Sequence, residues 1–167
     1  MSKLNSLVDL LHEEVKDLFS AETQLVKALP KMAEAAASPA LRDAFETQLQ
    51  ETRSHVERLE EAAKLLEVTP RGKTCKAMNG LVEESEETMH QSGEPAIKDL
   101  ALITAAQKVE HYEIAGYGSA RSLAERLGLN RVVNLFQATL NEIGNTEKMF
   151  TKLATQINRS VGSPMQA

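Results

Sequence analysis

An all-α fold is predicted by three features of this 167-residue sequence. Aromatic residues make up only 4 % of the chain and tryptophan is absent. Ala, Leu, Glu and Lys, which favour helices, dominate the composition. Hydrophobic residues recur at steps of three and four through four long segments, which are separated by proline and glycine. Together these features predict a four-helix bundle.

The first two helices are predicted to form a hairpin with a very short turn. The first helix covers about residues 5–37, and Pro30 lies inside its apolar pattern, which predicts a kink near its end. Ser38 reads as an N-cap and Pro39 as the first helical position of the next helix. That second helix is predicted to run to about residue 67.

A longer connection and a second hairpin follow. Residues 69–74 contain proline and glycine and no apolar residue, so the second helix must end before them. A short amphipathic helix is predicted at 75–90. The second hairpin consists of helices at about 96–127 and 130–159, separated by a stop at Gly128. The inward positions predicted for these two helices are Leu100, Ile103, Gln107, Glu110, Ile114 and Tyr117, then Leu135, Thr139, Glu142, Thr146, Met149 and Leu153.

The two hairpins predict one compact unit. Helices joined by a short turn must be antiparallel, and each buries one apolar stripe, so the natural assembly is a four-helix bundle with one long crossover. A chain of 18.3 kDa can bury a self-sufficient core. We therefore expect a single domain over residues 1–160, followed by a frayed tail at 161–167.

Charge, hydropathy and cysteine content exclude several classes of protein. A formal net charge of -5 argues against a nucleic-acid partner or an anionic membrane. No segment has the roughly 20 apolar residues of a membrane span, and the N-terminus lacks a signal-peptide pattern. The single cysteine, Cys75, rules out an intramolecular disulfide and suits a reducing compartment. The sequence thus predicts a cytoplasmic protein.

One layer of the bundle is predicted to be rich in carboxylates. Its candidate members in the first hairpin lie 13–17 residues from Ser38, and those in the second lie 14–18 residues from Gly128. At about 1.5 Å of rise per residue, all of them are roughly 20–27 Å from their turns. The candidates are Glu22, Glu51, His55, Glu110, Glu113 and Glu142.

Such a layer predicts a metal site, because buried carboxylates are costly unless a cation neutralises them. Glu110 and Glu113 share one side of their helix, and Glu51 and His55 form an i, i+4 pair. Divalent metals accept oxygen and imidazole ligands. The alternative is that these glutamates are rim positions on solvated helix faces, which is the usual place for a single charged residue.

Other residues near the layer allow more than one interpretation. Gly116 and Gly118 weaken a helix unless they permit close helix approach or a bulge. Tyr112 and Tyr117 flank the pair Glu110 and Glu113. They are interpreted as core residues with hydrogen-bonded hydroxyls, and the alternative is that they orient metal ligands or donate an electron. Cys75 is interpreted as a small buried hydrophobe, with a redox thiol as the alternative.

The chain resembles the YciE/YciF family of bacterial ferritin-like stress proteins. The resemblance extends over about residues 7–154. It is carried by DLFSAETQL (17–25), LQET (49–52) with HVERL (55–59), CKAMNGL (75–81), AQKVEHYEIAGY (106–117) and TLNE (139–142). It implies a ferritin-like bundle with a dinuclear metal centre, commonly di-iron, in a stress-associated cytoplasmic protein that often dimerises.

The same resemblance assigns the family's acidic positions to Glu22, Glu51, Glu110, Glu113 and Glu142. The chain departs from the family pattern twice. A histidine that is common just before the second acid is Gln48 here, and a second glutamate that often follows the last acid is Ile143. The nitrogen ligand is then supplied by His55, or the site is oxygen-rich with a carbonyl oxygen from Gln48.

Two functions of different class follow. The first is a protein that binds two divalent metal ions and oxidises Fe(II) with oxygen or peroxide as a protection against stress. The expected metal is iron, with manganese and zinc as alternatives. The second is a dimeric structural or interaction bundle whose metal site is empty or vestigial. A homodimer is expected in both cases, and no redox partner is identified. Iron storage in a ferritin-like shell is disfavoured, because nothing in the sequence indicates a shell interface.

Overall fold

A computed structural model describes residues 3–162 of the chain and confirms the all-helical fold. Residues 163–167 of the predicted tail lie outside this range. No helix within it combines the length and hydrophobicity that a membrane span requires. The helices are α1 (Leu7–Ala35), α2 (Pro39–Leu65), α3 (Lys76–His90), α4 (Pro95–Arg126) and α5 (Asn130–Ser160).

Four long helices form the bundle, and the short helix lies against its outside. Going round the bundle, α1 packs against α2, α2 against α5, α5 against α4, and α4 against α1. Helix α3 contacts α1 and α4. This arrangement confirms the two predicted hairpins and places the short helix in the crossover between them.

The helix ends follow from local sequence. The Ser38 side chain accepts a hydrogen bond from the Leu41 N–H at the start of α2, and Gly128 adopts a positive φ of 72° after α4 ends. The Cys75 side chain occupies the N-cap of α3. Helix α1 continues through Pro30 as far as Ala35, so the proline does not end it.

A buried aspartate on α4 fastens the α1–α2 turn to the second hairpin. Asp99 is 2 % exposed, and its two carboxylate oxygens accept hydrogen bonds of 2.8 Å from the N–H groups of Ala37 and Ser38. These N–H groups precede α2 and have no helical partner there. The sequence reading did not identify this contact, because the two segments are about 60 residues apart.

Replacing this aspartate is expected to destabilise the whole bundle. Asp99→Ala removes two charge-assisted hydrogen bonds, so we expect it to lower the free energy of unfolding by about 2 kcal/mol. Asp99→Asn keeps one acceptor oxygen and should lose about half as much. Urea denaturation followed by circular dichroism measures both changes, and equal stability of Asp99→Ala and the unmodified protein would contradict the assignment.

The apolar core is divided into two parts by a polar layer. One part includes Leu25, Phe45, Ile103 and Phe150, and the other lies toward the opposite end of the bundle. Buried polar residues lie between them along the four long helices. These residues are Glu22, Gln48, Thr52, His55, Glu110, Glu113, Thr139 and Thr146.

The predicted inward stripes of α4 and α5 are partly wrong. Ile114 is 36 % exposed, and the predicted Leu153 is only half-buried. Three further predicted positions on α5, Leu135, Glu142 and Met149, are replaced in the core by Phe136, Ile143 and Phe150. On α4 the buried surface is wider than one stripe, because this helix contacts three others. On α5 the predicted Thr139 and Thr146 are buried. Between them the buried residue is Ile143, one position beyond the predicted Glu142, which is only half-buried.

Close helix approach, one of the two roles predicted for the glycines, is found at one of them. A Cβ added to Gly116 would lie 2.8 Å from Leu18 Cδ2 of α1, whereas the space around Gly118 is open. Gly116→Val should therefore lower the free energy of unfolding by about 1–2 kcal/mol through overpacking. Gly118→Val, as the matched control, should raise it by up to about 0.5 kcal/mol through helix propensity. Thermal unfolding of both variants checks these opposite signs.

Candidate metal centre

Three of the predicted residues converge in the polar layer. Glu22 on α1, His55 on α2 and Glu113 on α4 are each at least 97 % buried. Each offers one ligand atom, and these three atoms lie within 4.8 Å of one another. The Nδ1 atom of His55 is 3.1 Å from Glu22 Oε1, about the separation of two neighbouring ligands at roughly 2.1 Å from one ion. Two carboxylates and an imidazole form a donor set suited to a divalent metal.

Unpartnered oxygens show that the layer has spare capacity to bind a cation. Glu110 is buried, and its Oε1 accepts a hydrogen bond from the Gln48 amide. Among the described residues, Glu22 Oε2, Glu110 Oε2 and Gln48 Oε1 are buried without a hydrogen-bond partner. Orphaned buried acceptors cost free energy. A metal ion would satisfy them, so the residues present fit the group that the carboxylate layer implies.

The fourth and fifth glutamates lie nearer the solvent. Glu51 is half-buried, and its Oε2 accepts a 2.6 Å hydrogen bond from the Thr146 hydroxyl. The side chain of Glu142 is 31 % exposed, and its Oε2 is 2.9 Å from His55 Nε2. Glu142 therefore contacts the outer nitrogen of His55 and is not one of the three converging residues.

An arginine that the sequence reading did not consider binds this last glutamate. The Nη1 and Nη2 atoms of Arg58 donate to the two carboxylate oxygens of Glu142, both at 2.7 Å. Nη1 also donates to the Thr139 hydroxyl at 3.2 Å. The signal was available, because Arg58 follows His55 by three residues and so lies on the same side of α2.

A buried tyrosine packs against the polar layer. Tyr117 is fully buried and its hydroxyl donates a 2.6 Å hydrogen bond to Glu22 Oε1. Its ring packs edge-on against Phe136 and His55. Of the two roles predicted for this residue, the hydrogen-bonded core tyrosine is confirmed, and its hydroxyl also orients a candidate ligand.

The electrostatics of the layer follow from burial and crowding. Burial raises the pKa of both Glu110 and Glu113 well above the usual range, and the charge of Glu22 adds to this. Burial lowers the pKa of His55, but hydrogen bonds and charges from Glu22 and Glu142 outweigh it, so the pKa is raised overall. The Arg58 guanidinium holds the pKa of Glu142 below its usual value. Without a metal, the layer therefore favours protons on Glu110, Glu113 and the His55 imidazole.

Two further histidines and the cysteine lie outside this cluster. His111 and His90 are exposed. Cys75 is buried as expected, and its Sγ lies 2.9 Å from the Tyr112 hydroxyl, which in turn donates to Asp17. Burial raises the pKa of the Cys75 thiol, so the structure favours the buried hydrophobe over a reactive thiolate.

Comparison with known proteins agrees with this architecture. Residues 6–161 match the family model described as a domain of unknown function, DUF892. The chain is 38 % identical over 152 residues to Protein YciF of Escherichia coli strain K12, covering 90 % of this chain and 92 % of the relative. The chain belongs to the YciF family. The resemblance first read from the sequence is thereby confirmed.

Solved structures of the YciF family have the same fold. The crystal structure of the E. coli stress protein YciF matches with a TM-score of 0.91 and 37 % identity, covering 93 % of this chain and 99 % of that one. A Rhodopseudomonas palustris protein, YcfI, whose description proposes a structural role, matches with a TM-score of 0.85 and 38 % identity, covering 92 % and 96 %.

A more distant structure connects the YciF family to the ferritin-like fold. A two-domain protein from Anabaena variabilis, with a DJ-1/ThiJ/PfpI-like and a ferritin-like domain, matches with a TM-score of 0.66 and 13 % identity. The match covers 98 % of this chain and 41 % of that one. It shows the fold alone. The predicted ferritin-like four-helix bundle is confirmed.

Proposed function

We propose that this chain is a ferritin-like carboxylate protein that binds two divalent metal ions, iron in the first place, with manganese and zinc as alternatives. The observation that carries the proposal is the buried convergence of Glu22, His55 and Glu113 beside carboxylate oxygens without partners. Such a cluster does not stabilise a purely structural core, because unpaired buried acids destabilise a fold. A cation-binding site explains it.

The residues divide into two neighbouring groups of ligands. Glu22, His55 and Glu113 would hold one ion. Glu110 and Glu51 would hold the second, since Gln48 on α2 donates to Glu110 and Glu51 follows Gln48 by three residues on the same side of that helix. Bound iron would supply the capacity to exchange single electrons with oxygen or peroxide.

The surrounding side chains keep the carboxylates in place before metal arrives. Tyr117 donates to Glu22, the Gln48 amide donates to Glu110, and Thr146 donates to Glu51. The hydrogen bonds to Glu22 and Glu110 leave the second carboxylate oxygen of each residue without a partner. Such outer partners orient ligands and reduce the reorganisation that binding requires. The apolar clusters on both sides shield the buried residues of the layer from water along the bundle axis.

The activity we propose is oxidation of Fe(II) as substrate, with its electrons passing to oxygen or peroxide. With peroxide as the oxidant, two Fe(II) ions give up one electron each, and one hydrogen peroxide takes up both electrons and two protons to form two waters. The concentrations of Fe(II) and peroxide, which together damage cells, would then both fall. The proposal is supported by the description of the E. coli relative as a stress protein. A cytoplasmic location and a homodimer complete it. The location is supported by the single buried free cysteine.

Anaerobic iron loading tests the proposal. After the metal-free protein is incubated with Fe(II) and desalted, we expect about two irons per chain. Glu22→Gln should bind less than one, whereas Glu57→Gln, an exposed control on α2, should bind as the unmodified protein does. Addition of peroxide should then produce the near-ultraviolet absorbance of Fe(III). Fewer than one iron per chain, unchanged by Glu22→Gln, would refute the metal site.

The second candidate function is a structural bundle whose polar layer holds no metal. It is favoured by the structural role proposed for the R. palustris relative and by Arg58, which supplies a permanent cation in the layer. It predicts that the melting temperature is indifferent to iron, manganese and chelator. A metal-dependent rise would exclude it, since a ligand that binds only the folded state must stabilise that state.

The oligomeric state can be measured independently of either function. We expect light scattering during gel filtration to give about twice the chain mass of 18.3 kDa. A shell of many subunits would instead indicate storage, and a monomer would refute the proposed dimer.

A further inference from the structure

The salt bridge between Arg58 and Glu142 lies at the outer side of the polar layer. The two side chains are 24 % and 31 % exposed. Two parallel hydrogen bonds of 2.7 Å join the guanidinium to both carboxylate oxygens, and the Thr139 hydroxyl accepts a third bond from the same guanidinium. A bidentate contact of this kind fixes the plane as well as the position of a carboxylate.

His55 faces a different carboxylate with each of its ring nitrogens. Nδ1 lies 3.1 Å from Glu22 Oε1, and Nε2 lies 2.9 Å from Glu142 Oε2. A neutral imidazole carries one N–H group, and the hydrogen bond made by that group decides which nitrogen is left to bind a metal. Glu22 belongs to the converging cluster and Glu142 does not. The two nitrogens therefore face different parts of the site.

We propose that Glu142 is a positioning residue for His55 and not a metal ligand. Arg58 holds Glu142, Glu142 accepts the Nε2–H of His55, and Nδ1 is thereby left to bind the metal beside Glu22. This inference rests on the proposed metal-binding function. It revises the role that the sequence predicts for Glu142, and it gives Arg58 a function as the residue that fixes the orienting carboxylate.

The balance of charge agrees with this division. Glu22, Glu51, Glu110 and Glu113 carry the four negative charges that balance two divalent ions, while neutral His55 adds none. Glu142 is balanced separately by Arg58. A carboxylate that both bound a metal and kept its bidentate arginine contact would have to share at least one oxygen between the two cations. The Arg58–Glu142 pair is neutral by itself, so the four inner carboxylates remain to balance the charge of the metal ions.

The coordinating nitrogen can be measured directly. The full-length protein is labelled with ¹⁵N-histidine and loaded with Zn(II), and the His55 resonances are assigned by comparison with His55→Gln. We expect the two-bond ¹⁵N–¹H pattern of an imidazole that binds through Nδ1 and is protonated at Nε2. A pattern showing Nε2 bound to zinc would overturn the inference, because Nε2 would then carry no hydrogen and could not donate a hydrogen bond to Glu142.

Arg58→Lys provides the second test, because lysine keeps the positive charge but cannot make the bidentate contact. If Arg58 positions Glu142, the dissociation constant for Zn(II) should rise about tenfold, at the lower end of the usual effect of outer-shell changes. Arg53→Lys, an exposed control on the same helix, should leave it unchanged. Tighter or unaltered binding in Arg58→Lys would overturn the inference, and tighter binding would indicate that Glu142 is a ligand restrained by Arg58.

These outcomes separate the inference from the function on which it rests. If the unmodified protein binds no zinc and no iron, the proposed metal site fails and the positioning role fails with it. If the unmodified protein binds metal through His55 Nε2, the metal site stands and only the positioning role is lost. Should Arg58→Lys fail to fold, the spectrum of the unmodified protein still decides.

Discussion

Metal loading is expected to raise the melting temperature of this protein by about 5–11 °C at neutral pH. Free metal at one hundred times its dissociation constant contributes about 2.7 kcal/mol to folding when it binds only the folded state. For a chain of this size, 1 kcal/mol corresponds to about 2–4 °C. The physical source is the relief of the buried acids Glu22, Glu110 and Glu113, two of which have an oxygen without a partner. Differential scanning calorimetry with Mn(II), and then with chelator, measures the shift.

Glu113→Gln separates specific binding from general charge effects. This change removes one of the three converging ligands, so we expect the metal-dependent rise to fall below about 2 °C. The metal-free variant should be at least as stable as the unmodified protein, because a neutral amide replaces a crowded buried acid. The exposed Glu57→Gln should keep the full rise. A rise of equal size in all three proteins would show that metal binds elsewhere.

The metal-free protein is expected to be more stable at pH 5.5 than at pH 7.5. The pKa values of Glu110, Glu113 and His55 are raised in the folded state. Folding therefore takes up protons, and this contribution is complete below the unfolded pKa values and lost as pH rises through the folded ones. The pKa of Glu142 is lowered from 4.5, so its contribution is lost only under more acidic conditions. Between pH 5.5 and 7.5 the three raised groups therefore set the sign of the dependence, and Glu142 adds almost no slope.

Metal should reverse this dependence, because the ion replaces the protons on its ligands and binds more tightly as pH rises. Urea unfolding at several pH values, with and without Mn(II), measures both slopes. The double variant Glu110→Gln with Glu113→Gln should flatten the metal-free profile and leave only the part due to His55. Metal-free stability that increases from pH 5.5 to 7.5 would contradict the electrostatic account of the layer.

The long helices and the level of the acidic residues could be predicted from sequence for a simple reason. The spacing of apolar residues and the short turns at Ser38 and Gly128 depend on local chemistry. Once each turn is placed, the rise per residue determines the height of every side chain above its own turn. The relative height of the two hairpins is not determined in this way, but a compact bundle aligns them. The structure places Glu22, His55 and Glu113 together at the predicted height. The predicted boundaries agree with the observed helices to within about two residues.

The rotation of each helix and the partners across the bundle could not be predicted in the same way. Periodicity allows an error of one residue, and on α5 that error exchanges buried Ile143 for half-buried Glu142. The Asp99 contact with the α1–α2 turn and the Arg58 contact with α5 join residues more than 60 positions apart. Such contacts depend on how the hairpins pack, and a single sequence carries no local signal of them.

The most direct test of the central claim is anomalous diffraction from crystals of the protein loaded anaerobically with Fe(II). The account predicts an iron peak bounded by Glu22, His55 and Glu113, with a second peak beside Glu110 and Glu51. Data collected on both sides of the iron absorption edge identify the element. No iron in the layer at millimolar Fe(II), or iron only on exposed carboxylates outside it, would contradict the claim that this YciF-family bundle is a metal-binding protein.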